Sequence, residues 1–189
     1  MLKRLRQNLQ TRLRPSWQRP EVAAFYGAAA GQARRLEFYR DAAVPDTLDG
    51  RFDLLVVHLV LLLLRLRGEG RDADAMSQHL FDFFAADMDR NLREMGVGDM
   101  GMARRIKAMG QAFYGRMAAY EAALKQDDNA PLMAALGNNL YRGAPVAPEV
   151  LHLMADYMRR AQASLRRQEL AGLLAGAAEF DALRGNFVP

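Results

Sequence analysis

The chain contains no cysteine, which excludes disulfides, thiolate catalysis and cysteine-rich zinc sites. Histidine is scarce: His58, His79 and His152 stand far apart, and no pair has the spacing of a helical zinc motif. The serines are Ser16, Ser77 and Ser164, and none sits in a nucleophile elbow. No apolar run is long enough to span a bilayer. The longest, LLVVHLVLLLL at Leu54–Leu64, is about half of the 20 or so residues required, and Arg51, Asp53, Arg65 and Arg67 close it in. A helix apolar nearly all round reads instead as the central helix of a bundle. Strand signals are missing too, since no stretch alternates with period two.

Acidic residues are absent from the first twenty positions, which carry Lys3, Arg4, Arg6, Arg12, Arg14 and Arg19. Leu2, Leu5, Leu9 and Leu13 recur there at helical spacing, so leucines form one stripe with arginines around it. Such a segment suits an anionic surface, whether phospholipid, RNA or a ribosome. It lacks the uninterrupted apolar region of a secretory signal, although its arginines resemble an organellar transit peptide. The 189 residues, 51% hydrophobic and 25% charged with net charge +4, are read as a basic amphipathic segment over 1–20 and one all-helical domain over 21–189.

The all-α expectation is a bundle of six to seven helices around the apolar one. After Pro15 stops the first helix, a second is expected over Glu21–Arg40, burying Phe25, Tyr26, Ala29, Ala33, Leu36 and Tyr39. VPDTLDGRFD then turns the chain, with Asp46 or Thr47 as N-cap of a third helix reaching Arg67. The fourth is expected from an Asp72 or Asp74 cap to Met95, and the fifth over Asp99–Lys125. A short helix capped by Asp127 or Asp128 ends near Gly143, and the last begins at Pro148 and runs past Arg167. The tail DALRGNFVP reads as frayed.

Two motifs imitate chemistry. Gly96, Gly98 and Gly101 spell G-x-G-x-x-G, which cradles a dinucleotide only where a strand leads into it. Here Phe81, Phe84, Met88, Leu92 and Met95 precede it at helical spacing, so the glycines read as a corner between helices, with Gly96 ending one and Asp99 capping the next. Asp87-x-Asp89-x-Asn91 opens like a calcium loop, but Leu92 and Gly98 occupy the places that need glycine and glutamate. His58, on the apolar helix, reads as a hydrogen-bonded core histidine. No cofactor or metal is expected. What remains is basic and aromatic: Arg104, Arg105 and Lys107, then Phe113, Tyr114, Arg116 and Tyr120. Arginine beside aromatic rings can hold RNA or grip an apolar peptide helix.

The segments FYRDAAVPDTLDGRFDLLVVHLVLLLLRL (38–66) and LFDFFAADMDRNLREMGVGDMGMARRIKAMGQAFYGRMAAYEAAL (80–124) closely resemble the ubiquinol–cytochrome c chaperone family. The likeness covers residues 20–142, and VPDT-x-DGRFD followed by DMD-x-x-LREMGVGD is its most specific part. The resemblance implies an all-helical, non-catalytic chaperone. Its client would be newly made cytochrome b, held during assembly of the cytochrome bc1 complex. It also implies a small co-chaperone or the ribosome as further partners. The place implied is the inner face of a bacterial membrane, or the mitochondrial matrix in a eukaryote. A chaperone for a membrane protein needs an apolar groove with charged rims, and methionine suits such a surface because its side chain adapts. The groove is expected between the fourth and fifth helices. Asp87, Asp89, Met95, Arg104, Arg105, Met109, Phe113, Arg116 and Tyr120 are its candidate client-binding residues. Lys3, Arg4, Arg6, Arg12 and Arg14 are the candidate membrane or ribosome tether. A basic helical module for RNA or the ribosome is the alternative.

Overall fold

The computed structural model describes residues 19–94 and 99–184, with the backbone alone described for 99–107. Eight helical segments occupy the described residues: α1 Pro20–Ala33, α2 Leu36–Arg40, α3 Leu48–Leu66, α4 Arg71–Glu94, α5 Asp99–Leu124, α6 Ala130–Asn139, α7 Pro148–Arg167 and α8 Leu170–Leu174. No strand occurs among them. The architecture is the expected all-α bundle with a central apolar helix. The expected N-terminal leucine helix, the tether residues Lys3, Arg4, Arg6, Arg12 and Arg14, the glycines 96 and 98 and the tail from 185 lie outside the described residues.

The central helix, α3, starts at Thr47, whose hydroxyl accepts a hydrogen bond from the Gly50 N–H at 3.1 Å. Gly50 is required by close approach: a Cβ there would stand 2.0 Å from the Pro45 carbonyl oxygen. The turn VPDT and the glycine of DGRFD therefore form one device that folds the chain back over the start of α3. From Leu54 to Leu62 the helix buries almost every side chain, packed against α1, α4, α5 and α7. The longest apolar run is thus the middle of the core. No helix among the described residues is long and apolar enough to cross a membrane.

His58 is fully buried within that run. Its Nδ1 lies 2.8 Å from the Leu54 carbonyl oxygen, which can only accept, so Nδ1 carries the proton. Nε2 then accepts from the Tyr157 hydroxyl at 2.8 Å. Gln32 donates to that same hydroxyl oxygen at 3.0 Å and to the Asp181 carbonyl at 2.8 Å. One polar chain thereby ties α1, α3, α7 and the C-terminal segment together. Phe38 meets His58 and Tyr157 edge-on, with centroids at 5.3 and 4.9 Å. Arg65 binds α3 to α7 a second time, donating to the Leu165 and Gln168 carbonyls at the end of α7.

Three expectations need correction. The helix expected over 21–40 breaks after Ala33, because Arg35 is extended and the Tyr39 hydroxyl caps the Ala33 carbonyl at 2.6 Å. The break turns Phe38 into the core and leaves Leu36, an expected core residue, 67% exposed. Asp72 and Asp74 lie in the first turn of α4 and do not cap it, since the helix already begins at Arg71. Finally, residues 181–184 are held against the bundle. Phe180 packs on His58, Leu183 is buried, and Gln168 and Glu179 exchange hydrogen bonds. Gly176, at φ +92°, permits this course, since a Cβ there would stand 2.5 Å from the Glu21 carbonyl oxygen.

Burial pushes the His58 pKa down from 6.5 to about 4. The unfolded chain therefore binds a proton that the folded chain refuses as pH falls from 6.5 towards 4. Stability is full above that window and declines through it, by about 3 kcal/mol for a shift of this size. Urea titrations at pH 7.5 and 4.5 should show the decline shrinking in His58→Gln; an identical pH dependence in both proteins would refute the assignment.

Candidate functional site

α4 presents Phe81, Phe84, Ala85 and Met88 at the three- and four-residue spacing of one helix face. α5 faces them with Met109, Gly110, Gln111 and Tyr114, and between the two helices lies a cavity of about 310 Å³. Phe113 is buried behind it and meets the rings of Phe81 and Phe84 at 5.3 Å each. Phe84 in turn stands 5.9 Å from Phe52 on α3, so the groove's back wall is continuous with the core. Tyr114 lies 5.2 Å from Phe81 and remains 52% exposed. Among the described residues, no charged side chain lines the groove. A larger cleft, of about 1060 Å³, lies where the starts of α1 and α4 meet α8. Its walls carry both signs, with Arg19, Arg71, Glu21, Glu69 and Asp72 among them, and suit water better than an apolar partner.

The rotation of α5 is set from its other side. Arg116 reaches inward to Asp53 of α3, placing Nη2 2.8 Å from Oδ1. Arg142 approaches the same carboxylate from beyond α6, its Nε donating to Oδ2 at 2.6 Å, and also contacts Asp49 at 2.5 Å. Asp53 has no solvent exposure. Burial pushes its carboxyl above the usual range, while Arg142 and Arg116 oppose that shift. With both guanidiniums within 2.8 Å it stands as the carboxylate at neutral pH. Arg142 holds its place with a left-handed backbone, φ 54°, an unfavourable conformation for a residue with a side chain.

The candidate client-binding residues divide accordingly. Met109 lines the groove. Phe113 forms its buried back, whereas Tyr120 lies in the core with its hydroxyl near Asp53 and Arg116 and raised in pKa, chiefly by burial. Arg116 is turned to Asp53 and so does not stand on a rim beside Tyr114. Asp87 faces α1, accepting from the Tyr26 hydroxyl at 2.7 Å, and Asp89 pairs with Arg93 at 2.8 Å. Met95 and the side chains of Arg104 and Arg105 lie outside the described residues. The two acids that imitate the start of a calcium loop are thus helix-face residues engaged within the chain. α4 ends at Glu94 and α5 begins at Asp99, so among the described residues a helix, and no strand, precedes the glycine motif.

Of the lining residues, sequence reading named Met109 alone as a candidate: Phe81, Phe84 and Met88 served only to mark the helical period of α4, Tyr114 is absent from the candidates, and Gly110, Ala85 and Gln111, small or polar, carry no apolar signal. It also missed the Asp53 cluster. That cluster had a signal: Asp49 and Asp53 share one face of an otherwise apolar helix, and a buried acid demands a cation.

Comparison with known proteins bears on the family and the overall fold. Residues 40–180 match the ubiquinol–cytochrome C chaperone family. A crystal structure of the Cbp3 homolog from Brucella abortus superimposes with a TM-score of 0.82 at 32% identity, covering 97% of this chain and 98% of that one. Ubiquinol–cytochrome c reductase complex assembly factor 1 of Xenopus laevis is 27% identical over 124 residues, 66% of this chain and 62% of that protein. The Mus musculus assembly factor is likewise 27% identical over 124 residues. The match spans 42% of the mouse protein, so the chain corresponds to part of the length of these relatives.

The carboxylate cluster generates a graded prediction. Asp53→Asn leaves two guanidiniums facing a buried neutral group and should cost about 3 kcal/mol. Asp49→Asn removes an exposed pair and should cost under about 1 kcal/mol. Equal losses for the two variants in urea denaturation would show that burial is not what gives Asp53 its weight.

Proposed function

We propose that the chain, which belongs to the ubiquinol–cytochrome c chaperone family, is a non-catalytic assembly chaperone that holds newly synthesised cytochrome b during biogenesis of the cytochrome bc1 complex. The observation that carries this reading is the uncharged groove between α4 and α5. An unassembled membrane protein exposes apolar helices, and burying them yields roughly 25 cal/mol per Å² of surface taken from water. Such a partner calls for apolar walls and no fixed charge. Among the described residues the groove offers three aromatic rings and two methionines, with the Gln111 amide and the Tyr114 hydroxyl as its polar groups. Nothing among its lining residues is arranged as a nucleophile with a base.

Within this reading, residues 21–189 form the chaperone domain and the arginine-rich segment before it is a tether. Its arginines attract anionic headgroups or ribosomal RNA, and its leucine stripe supplies apolar contact. The chain then works at the membrane face where its client is inserted, with a small co-chaperone or the ribosome as further partners. Stacking of RNA on the aromatic part of α5 is the weaker reading. The one described arginine of that helix, Arg116, is turned inward to Asp53, and Phe113 and Tyr120 are buried.

A photocrosslinking residue at 109 or 114 should capture cytochrome b from solubilised membranes, and one at 120 should find only its own core. Capture from 120 but from neither groove position would remove the groove from the account. A chain beginning at Glu21 should lose most of its sedimentation with membranes; undiminished sedimentation would rule out the tether.

A further inference from the structure

We infer that Gly110 is the specificity-determining residue of the groove, and that the space before it receives a bulky uncharged side chain from a bilayer-spanning helix of the client. This rests on the chaperone reading above and adds to it a position and a partner chemistry. Gly110 sits in the middle of α5, a 26-residue helix, where glycine is less favourable than alanine by about 1 kcal/mol. The protein's own packing does not ask for it. A Cβ built at Gly110 meets nothing within 4 Å, in contrast to Gly50 and Gly176, where it would collide with backbone. Gly115, also free of contacts, simply faces solvent. Gly110 is half-buried, and the open space before it is the groove itself. The missing side chain therefore creates room for something from outside the chain.

Charge decides what that is. No described lining residue is charged, and the flanking acids of α4 are engaged, Asp82 with Gln78 and Asp89 with Arg93. The occupant's contacting face must be uncharged as well, because a charge entering this groove would lose its hydration without a partner. A bilayer-spanning helix has such a face on every side. Nucleic acid does not, and amphipathic soluble helices bring charges along their borders. Ala85 opposite Gly110 lets a helix backbone come close. Met88 and Met109 adjust to the shape of the entering side chain.

The test uses the full chain, with Gly110→Phe to fill the space and Gly115→Ala, outside the groove, as the control that leaves it open. Ala85→Leu fills the space from the opposite wall should Gly110→Phe misfold. The probes are cytochrome b co-expressed with the chaperone and captured in mild detergent, and a synthetic peptide of one of its spans in micelles. Gly110→Phe should weaken both by about tenfold or more, the scale on which an apolar pocket discriminates side chains. Gly115→Ala, on the solvent-facing side of α5, should bind as wild type does, with its Tm unchanged or raised. Equal capture by Gly110→Phe, Ala85→Leu and wild type overturns the inference and leaves the chaperone reading standing. Failure of the wild type to capture either probe removes both. If Gly110→Phe instead changes the sedimentation mass of the chaperone alone, the occupant is a second copy and the inference is overturned.

Discussion

One carboxylate, that of Asp53, organises the side of the bundle from which the groove opens. It enters on α3, the helix that supplies most of the core's apolar mass, and it arrives with no exposure to solvent. A charge so placed is unfavourable unless cations meet it, and Arg116 of α5 and Arg142 beyond α6 do so from different directions. Fixing one side chain of a helix fixes the rotation of the whole helix, because side-chain directions follow its period. With Arg116 turned to Asp53, α5 directs Met109, Gly110 and Tyr114 towards α4, and the groove follows. The left-handed backbone at Arg142 is a conformational cost that the same carboxylate offsets.

The two polar clusters of the core have different chemistry. Asp53 is charged and met by charge. His58 is neutral and is satisfied by a carbonyl on one ring nitrogen and a hydroxyl on the other. Both are spent on joining helices, and neither lines the cavity between α4 and α5. The buried carboxylate and the buried imidazole are thus both kept apart from the opening between α4 and α5, whose described lining carries no charge. An opening of that kind suits a protein whose task is to keep an oily partner from aggregating, and it fits the chaperone family to which the chain belongs.

The helical class, the central position of α3, the Thr47 cap as one of two candidates beside Asp46, and the core role of His58 were legible in the sequence. Each rests on local pattern: a period, a capping residue, a polar side chain within an apolar run. What escaped was set by contacts distant in sequence. The break after Ala33 depends on Phe38 reaching His58 and Tyr157, and no local signal announces that. Arg116 and Tyr120 looked like a surface strip because arginine and tyrosine usually keep their ends in water. The inward course of Arg116 required Asp53, sixty-odd residues earlier, as a partner, and Tyr120 lies in the core close by. The tail looked frayed for the same reason, since Gln32 and His58 hold it from the opposite end of the chain. Ala85 and Gly110 shape the groove by what they lack, and residue patterns register presence far better than absence.

Methionine methyl resonances offer the most direct test of where the client is held, since Met88 and Met109 line the groove and Met154 and Met158 are buried on α7. On adding a detergent-solubilised cytochrome b span to methyl-labelled protein, Met88 and Met109 should shift and broaden while Met154 and Met158 hold still. Shifts at Met76 in the charged cleft, with Met88 and Met109 unmoved, would contradict the account.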